Sequence, residues 1–308
     1  MSDFSRTSAV RAELQGGKAG VRLKSDTGGA LTVGEVLRRS TEHLAAKGSD
    51  TPRLDAELLL AHALGVERID LYAGHDRPLR ADELAEARAL VARRAAREPL
   101  QYVLGEWGFR RLTLSVDRRA LIPRPETEVV VERCLALLEG TEAPRVLDVG
   151  TGSGAIALAI ADEHPGALVT GMDVSPEALA LARENATRTG IRIELVEGDF
   201  FADLPSGPWD LVVSNPPYVD PSDRNALAPE VRDWEPAAAL FGRDATLAVA
   251  RGAVRALRDG GALVLEVSDG QAAAACSLLE SLGYVEVRAT ADLAGRDRVV
   301  EGRVLTGS

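Results

Sequence analysis

The chain is 308 residues long, 45% hydrophobic and 27% charged, the balance of a globular protein rather than a disordered or fibrous one, and long enough that two domains are expected. A formal charge of −11 argues against broad nucleic-acid binding, which draws its strength from Lys and Arg neutralising phosphates; no direct sequence-specific nucleic-acid partner is expected. No stretch approaches the roughly 18 to 20 apolar residues of a membrane span and the first thirty residues lack an apolar signal core, so the chain is expected to be cytoplasmic.

Residues 1–30 are rich in Ser, Gly, Thr and Ala with scattered charges, a composition that predicts a flexible tail because it buries too little apolar surface to offset ordering entropy. From Thr32 apolar residues recur at helical spacing: Val33, Val36 and Leu37, then Leu54, Leu58 and Leu59, then Leu84, Ala87 and Val91. Thr32 before Glu35, and Asp50 or Thr51 before Pro52, read as helix N-caps, and Gly48 and Gly65 as stops. These predict a small helical domain over residues 31–105. Glu106 to Leu121 changes character, with Leu112, Leu114 and Val116 in alternation, and predicts a β-hairpin linker over residues 106–121.

Residues 122–308 form the second predicted domain. From Arg145 short apolar runs alternate with amphipathic helices, the pattern of a mostly parallel sheet wound with crossover helices, and hence an α/β, Rossmann-like fold. The strands predicted are Arg145 to Val149, Ala167 to Met172, Ile191 to Val196, Asp210 to Ser214 and Gly261 to Val267. The helices lie near Ala155 to Glu163, Pro176 to Thr189, Ala245 to Arg258 and Gln271 to Leu282. Tyr284 to Val287 and Val299 to Leu305 are expected to close the sheet as an antiparallel pair. Cys134 and Cys276, the only cysteines, lack metal or redox spacing and are expected as inert core thiols. The histidines show no metal spacing, and no metal is assigned.

Val146-Leu147-Asp148-Val149-Gly150-Thr151-Gly152-Ser153-Gly154 reads as a strand entering a glycine-rich turn and then a helix. Such a turn lets backbone approach a ligand closely, and the helix start offers free N–H groups. Asp173, at the end of the second strand, can accept hydrogen bonds from both hydroxyls of a ribose. Together they predict an adenosine-containing ligand. Gly150, Gly152 and Ala155 also satisfy the dinucleotide pattern, which keeps NAD in play. Gly154, and Gly198-Asp199-Phe200 after the third strand, tilt the reading toward S-adenosyl-L-methionine, with Asp199 for the adenine amino group and Phe200 for its ring face.

The buried strand Leu211-Val212-Val213-Ser214 ends in Asn215-Pro216-Pro217-Tyr218. Two successive prolines stiffen the turn. An amide or aromatic amine is a poor nucleophile because its lone pair is delocalised, so a site methylating one must hold its N–H bonds in a favourable geometry. The Asn215 side-chain oxygen and the Pro216 backbone carbonyl are the two candidate acceptors, and Tyr218 can lie against the flat group. Alignment and acceptors aimed at developing charge then supply the catalysis, without a strong general base. Ligands of open parallel sheets sit at the strand carboxyl ends, where both motifs fall.

Asp148 to Gly154 with Asn215-Pro216-Pro217-Tyr218 resembles the class I amino-methyltransferases, N(6)-adenine enzymes among them. Pro52-Arg53-Leu54-Asp55-Ala56-Glu57-Leu58-Leu59, Arg97-Glu98-Pro99-Leu100-Gln101-Tyr102, Gly105 and Leu121-Ile122-Pro123-Arg124-Pro125-Glu126-Thr127-Glu128 resemble, more narrowly, the peptide chain release factor glutamine methyltransferases of the HemK/PrmC family. The likeness spans about residues 31–305. It implies a class I release factor as partner, with the glutamine amide of its Gly-Gly-Gln loop methylated at N(5). It further implies donor contacts from Gly150, Thr151, Gly152, Ser153, Gly154, Asp173 and Phe200, with Asn215 to Tyr218 at the glutamine. The family usually shows Glu, two aromatics and Gly where this chain has Gly108-Phe109-Arg110-Arg111; Phe109 is expected to keep the first aromatic's place near the donor. An N(6)-adenine nucleic-acid methyltransferase and, from another reaction class, an NAD-dependent dehydrogenase are the alternatives. The first would need a basic, aromatic-studded surface and a means of extracting the base, and the second leaves the Asn-Pro-Pro-Tyr turn unexplained.

Overall fold

The computed structural model describes residues 30–242 and 244–305; apart from Ala30, the tail expected over residues 1–30 lies outside the described residues. The chain divides into two compact units, separated between Ala96 and Arg97.

The first unit is helical, with helices Val33–Ala46, Pro52–Leu64, Asp70–Ala73 and Ala81–Ala95. Thr32 caps the first as the sequence predicts: its hydroxyl accepts from the Glu35 N–H, while the Glu35 carboxylate accepts from the Thr32 N–H. Gly65 closes the second at φ 62°. Thr51 precedes Pro52 but does not cap; its hydroxyl instead donates to Asp55 at 2.9 Å. Asp55 also accepts from buried Arg94 at 2.8 Å, a pair that locks the second helix to the fourth around Leu44, Leu59 and Leu71.

The second unit opens with a short helix, Leu100–Leu104, and the antiparallel strands β1 (Glu106–Phe109) and β2 (Leu112–Ser115). The hairpin stops at Ser115 rather than Leu121. Val116 still donates to the Gly105 carbonyl, but residues 117–121 leave the ladder, and Ala120 is held by the Tyr102 hydroxyl at 2.8 Å. Phe109, Leu112 and Leu114 point inward and join the core.

A seven-stranded sheet follows: β3 (Arg145–Val149), β4 (Leu168–Asp173), β5 (Glu194–Glu197), β6 (Trp209–Ser214), β7 (Leu257–Glu266), β8 (Tyr284–Ala291) and β9 (Asp297–Val304), in spatial order β5-β4-β3-β6-β7-β9-β8. The first five in that order run parallel; β9 is antiparallel to β7 and β8. The central strands are apolar on both faces because helices cover both. Predicted strand and helix positions recur with shifted ends. β5 starts at Glu194, not Ile191, and the helix expected to reach Arg258 ends at Ala256 because β7 begins at Leu257 with a bulge opposite Trp209. Helix Glu128–Leu138, not among the predicted helices, packs on the sheet through Val130, Val131 and Cys134. Cys134 is fully buried, whereas Cys276 is half-buried on helix Ala272–Ser281 and so is not a core thiol.

The strand order reverses between β3 and β6. Chain progress runs outward from β3 through β4 to β5, then restarts at β6 on the other side. The crevice at the carboxyl ends of these strands is where an open α/β sheet holds its ligand.

Candidate active site

A cleft opens at that crevice, walled by the segment Arg119–Arg124, the turn after β3 and the exits of β4 and β6. Val149 pairs with Ser214 across the β3–β6 ladder, so Gly150 and Asn215 leave the sheet side by side. The Ser214 hydroxyl donates to the Val149 carbonyl at 2.7 Å and ties the two exits together.

On the β3 side the turn is built from glycine because Gly150 and Gly152 have φ of 73° and 55°, a region that side chains disfavour. Gly150 and Thr151 both donate to the Met172 carbonyl, at 2.8 and 2.9 Å. Asp173 clamps the turn from β4: its Oδ2 accepts from the Gly152 N–H and its Oδ1 from the Ser175 N–H, each at 2.9 Å. Beneath the turn lies buried Asp148, whose Oδ2 accepts from the Thr151 hydroxyl at 2.6 Å and the Ala157 N–H at 3.2 Å. Burial pushes its carboxyl up to about 7, and the Thr151 and Ala157 hydrogen bonds hold it from going further.

Gly150, Thr151, Gly152, Ser153, Asp173, Phe200, Asn215 and Pro217 come together in the cleft lining. The other predicted residues are placed elsewhere. Gly154 starts helix Ala155–Glu163, where an added Cβ would lie 3.3 Å from Ala182 and Leu158; it serves close packing. Asp199 is exposed and accepts from the Phe201 N–H at 2.8 Å. Pro216 is buried, and Tyr218 lines a neighbouring hollow with Gln271 and Val267. Burial pushes the Tyr218 hydroxyl up to about 12, with Glu266 adding to it. Phe109 does not approach the cleft: strand alternation turns it into the core, 1% exposed, which corrects the expectation that it stands near the donor. Arg110, at φ 52°, makes the tight turn and pairs with Glu163 and Glu132.

Several residues that shape the site are not among its predicted members. Segment Arg119–Arg124 lines the cleft opposite the glycine turn, and Arg124 pairs with Glu235, a buried carboxylate that also accepts from the Ile122 N–H. Asn185, 0% exposed, takes the Ser115 N–H and donates to the Ser153 and Ser115 carbonyls, bracing the glycine turn against β2. Gly242 permits the backbone of the Asn215 turn to pass: a Cβ there would stand 2.6 Å from Pro217 Cγ and 2.8 Å from its carbonyl oxygen. Val219 donates to the Leu240 carbonyl at 3.0 Å in the same contact.

Comparison with known proteins matches residues 35–105 to the PrmC N-terminal domain and residues 129–231 to the methyltransferase small domain. The release factor glutamine methyltransferase of Geobacter sulfurreducens is 46% identical over 277 residues, covering 89% of this chain and 97% of that one. Those of Deinococcus radiodurans and Chlorobaculum tepidum are 45% and 43% identical, over 89% and 87% of this chain and 99% and 95% of theirs. The chain belongs to the release factor glutamine methyltransferase family. Membership sets aside the dehydrogenase and adenine alternatives that the motifs alone leave open. It also matches a helical unit and a methyltransferase fold in one chain, as the release factor glutamine methyltransferases that it resembles do over nearly their whole length.

Proposed function

We propose that this chain transfers a methyl group from S-adenosyl-L-methionine to the side-chain amide nitrogen of the glutamine in the Gly-Gly-Gln motif of class I peptide chain release factors. The observation that carries the reading is the shared cleft: Asn215 enters it beside Gly150, opposite Asp173. The donor supplies an activated methyl group on a sulfonium. Asp173 is the acceptor for its ribose hydroxyls, since each carboxylate oxygen keeps a lone pair beyond the backbone N–H that it already holds. The side-chain-free backbone of the glycine turn, which lets the donor approach closely, and the flat face of Phe200 complete the donor side. Asn215 Oδ1 and the Pro216 carbonyl take the two amide N–H bonds of the glutamine, fixing the nitrogen lone pair toward the methyl carbon. As the new C–N bond forms, the methyl–sulfur bond breaks and the donor leaves as the neutral thioether S-adenosyl-L-homocysteine; the nitrogen becomes acidic and its proton leaves to solvent, so no strong base is needed. In this reading the helical unit before Arg97 recognises the release factor.

The test is labelled S-adenosyl-L-methionine offered with a release factor, DNA and RNA, followed by mass spectrometry of the labelled product. The expected product is N(5)-methylglutamine in the release factor alone. Asn215→Ala should lose about 100- to 1000-fold in single-turnover transfer, the usual cost of one aligned polar group at a reacting centre, while donor affinity changes little. Label in nucleic acid, or near-normal transfer by Asn215→Ala, would sink the proposal.

A further inference from the structure

Behind Asn215 stands a carboxyl that lies outside the cleft lining. Glu266 ends β7 one residue past Leu265, which pairs with Ser214; the register sets it next to Asn215 at the carboxyl edge of the sheet. It is 2% exposed, and its Oε2 has no hydrogen-bond partner among the described residues. The groups facing it are the Thr127 hydroxyl, Arg298 on β9, Glu126 and Arg124 from the segment before helix Glu128–Leu138, and Tyr218. Arg298 is itself held by Asp292 at 3.1 Å. A buried carboxyl so poorly matched is costly to retain and asks for a reason.

Thr127 supplies one. Thr127 is buried, its Oγ1 accepts from Asn215 Nδ2 at 3.5 Å, and its hydroxyl is the hydrogen-bonding group that draws the Glu266 carboxyl down. A hydroxyl has a single proton to give. When that proton goes to a Glu266 carboxylate, Thr127 can only accept from Asn215, so the amide NH2 faces Thr127 and Oδ1 faces the cleft. A protonated Glu266 reverses the chain: it can donate to Thr127, Thr127 can then donate to Oδ1, and the turned-over amide offers the substrate nitrogen an N–H instead of an oxygen. Burial pushes the Glu266 carboxyl up to about 7, with Thr127, Arg298 and Arg124 drawing it down and Glu126 adding to the rise.

We propose that Glu266 and Thr127 are positioning residues that fix the Asn215 amide with its oxygen toward the acceptor nitrogen, so that methyl transfer requires ionised Glu266. The inference rests on the amide-methylating reading above. The acceptor amide and the sulfonium centre do not titrate near neutrality, and the Glu266→Gln variant separates a limb set by this carboxyl from one set by the donor's α-amino group or by the release factor.

The experiment is single-turnover transfer to a release factor as a function of pH, with S-adenosyl-L-methionine affinity measured on the same samples. In the unaltered chain transfer should rise as pH passes upward through about 7. Glu266→Gln still accepts from Thr127 through its amide oxygen but cannot titrate, so its transfer should be level across that range. Asp148, also pushed up to about 7, remains in that variant, which separates the two carboxyls. Thr127→Val should lose roughly tenfold at the high-pH plateau, the effect of one hydrogen bond, and Thr127→Ser should restore it. A packing role alone would lower stability without removing the limb. A Glu266→Gln chain that keeps the limb, or a folded Thr127→Val chain at full rate, overturns the proposal while glutamine methylation stands. If Glu266→Gln does not fold, the Val and Ser variants of Thr127 decide. An unaltered chain that transfers nothing overturns both readings.

Discussion

Asp173 is asked to do two things at once, and the structure lets them be measured apart. Its carboxylate holds the Gly152 and Ser175 N–H groups at 2.9 Å each and, in the proposed complex, also takes the ribose hydroxyls. Hydrogen bonds to a charged group contribute about 1.5–3 kcal/mol, which at 25 °C is roughly a 12- to 160-fold change in affinity. Asp173→Ala should therefore weaken S-adenosyl-L-methionine binding by that range in calorimetry. Asp173→Asn keeps an oxygen for one backbone N–H but sets an NH2 against the other, so it should fall within the same range despite its shape. The ribose contact is isolated by repeating the titration with a donor analogue lacking both ribose hydroxyls. The analogue should bind the unaltered chain weakly and lose little more on Asp173→Ala, because the hydroxyl contacts are already absent. Unchanged affinity for the natural donor would remove Asp173 from the site. An equal loss for both ligands would mean that Asp173 only clamps the turn.

Gly242→Ala should slow single-turnover transfer by about 100-fold while donor affinity moves much less, since a Cβ 2.6 Å from Pro217 must displace the acceptor turn and a misplacement of roughly 1 Å can cost that much; equal rates would show that the turn yields without consequence. Asp148 makes stability depend on pH. Its folded value of about 7 lies above the ordinary carboxylate range, so between about pH 4 and 7 the folded chain binds the extra proton and stability falls as pH rises, by roughly 4 kcal/mol at most. Denaturant unfolding at several pH values should show a falling slope to which Glu266, also pushed up to about 7, adds, and Asp148→Asn should reduce it by the Asp148 share; an unchanged slope would assign all of it to other groups. A fragment beginning at Arg97 should fold and bind donor, whereas one beginning near Leu121 loses Phe109, Leu112 and Leu114 from the core, each contributing about 1.5–3 kcal/mol. Cooperative unfolding of the shorter fragment at the stability of the longer one would contradict the place given to the hairpin.

The donor half of the site is legible in the sequence because its contacts are short in chain. Thr151 and Ala157 reach back only to Asp148, Gly150 and Gly152 must be glycine for their own φ, and Asp173 closes the next strand. Strand, turn and helix are each written where they fold, so periodicity and turn chemistry suffice. The acceptor half is written differently. Asn215-Pro216-Pro217-Tyr218 can be found as a motif, but the groups that shape it arrive from Thr127, Glu235, Gly242 and Glu266. None of these has a local pattern that separates it from a helix cap, a surface carboxylate or a loop glycine. Glu235 and Glu266 are the clearest cases: composition predicts exposed charge, and both are buried because a distant partner or strand encloses them.

That division has a consequence for how the two halves respond to change. A local turn that holds its own geometry can be altered at one residue and fail at that residue's contact, which is why Asp173 is expected to show in donor affinity. The acceptor turn is fixed by contacts from β7, from the segment before helix Glu128–Leu138 and from the Leu240–Gly242 stretch. Substitutions at any of these should therefore converge on one phenotype, slower transfer with donor binding retained, although the residues lie far apart in sequence. Pairs among them should be non-additive, because each acts by placing the same amide. Thr127→Val combined with Gly242→Ala is the informative pair: a turn already displaced by the new Cβ has little alignment left for Thr127 to preserve, so the double variant should be slower than the worse single variant by much less than the product of the two effects. Full multiplicity in single-turnover rates would mean that the two residues act on different steps and that the acceptor half is not the single positioned unit that its contacts describe.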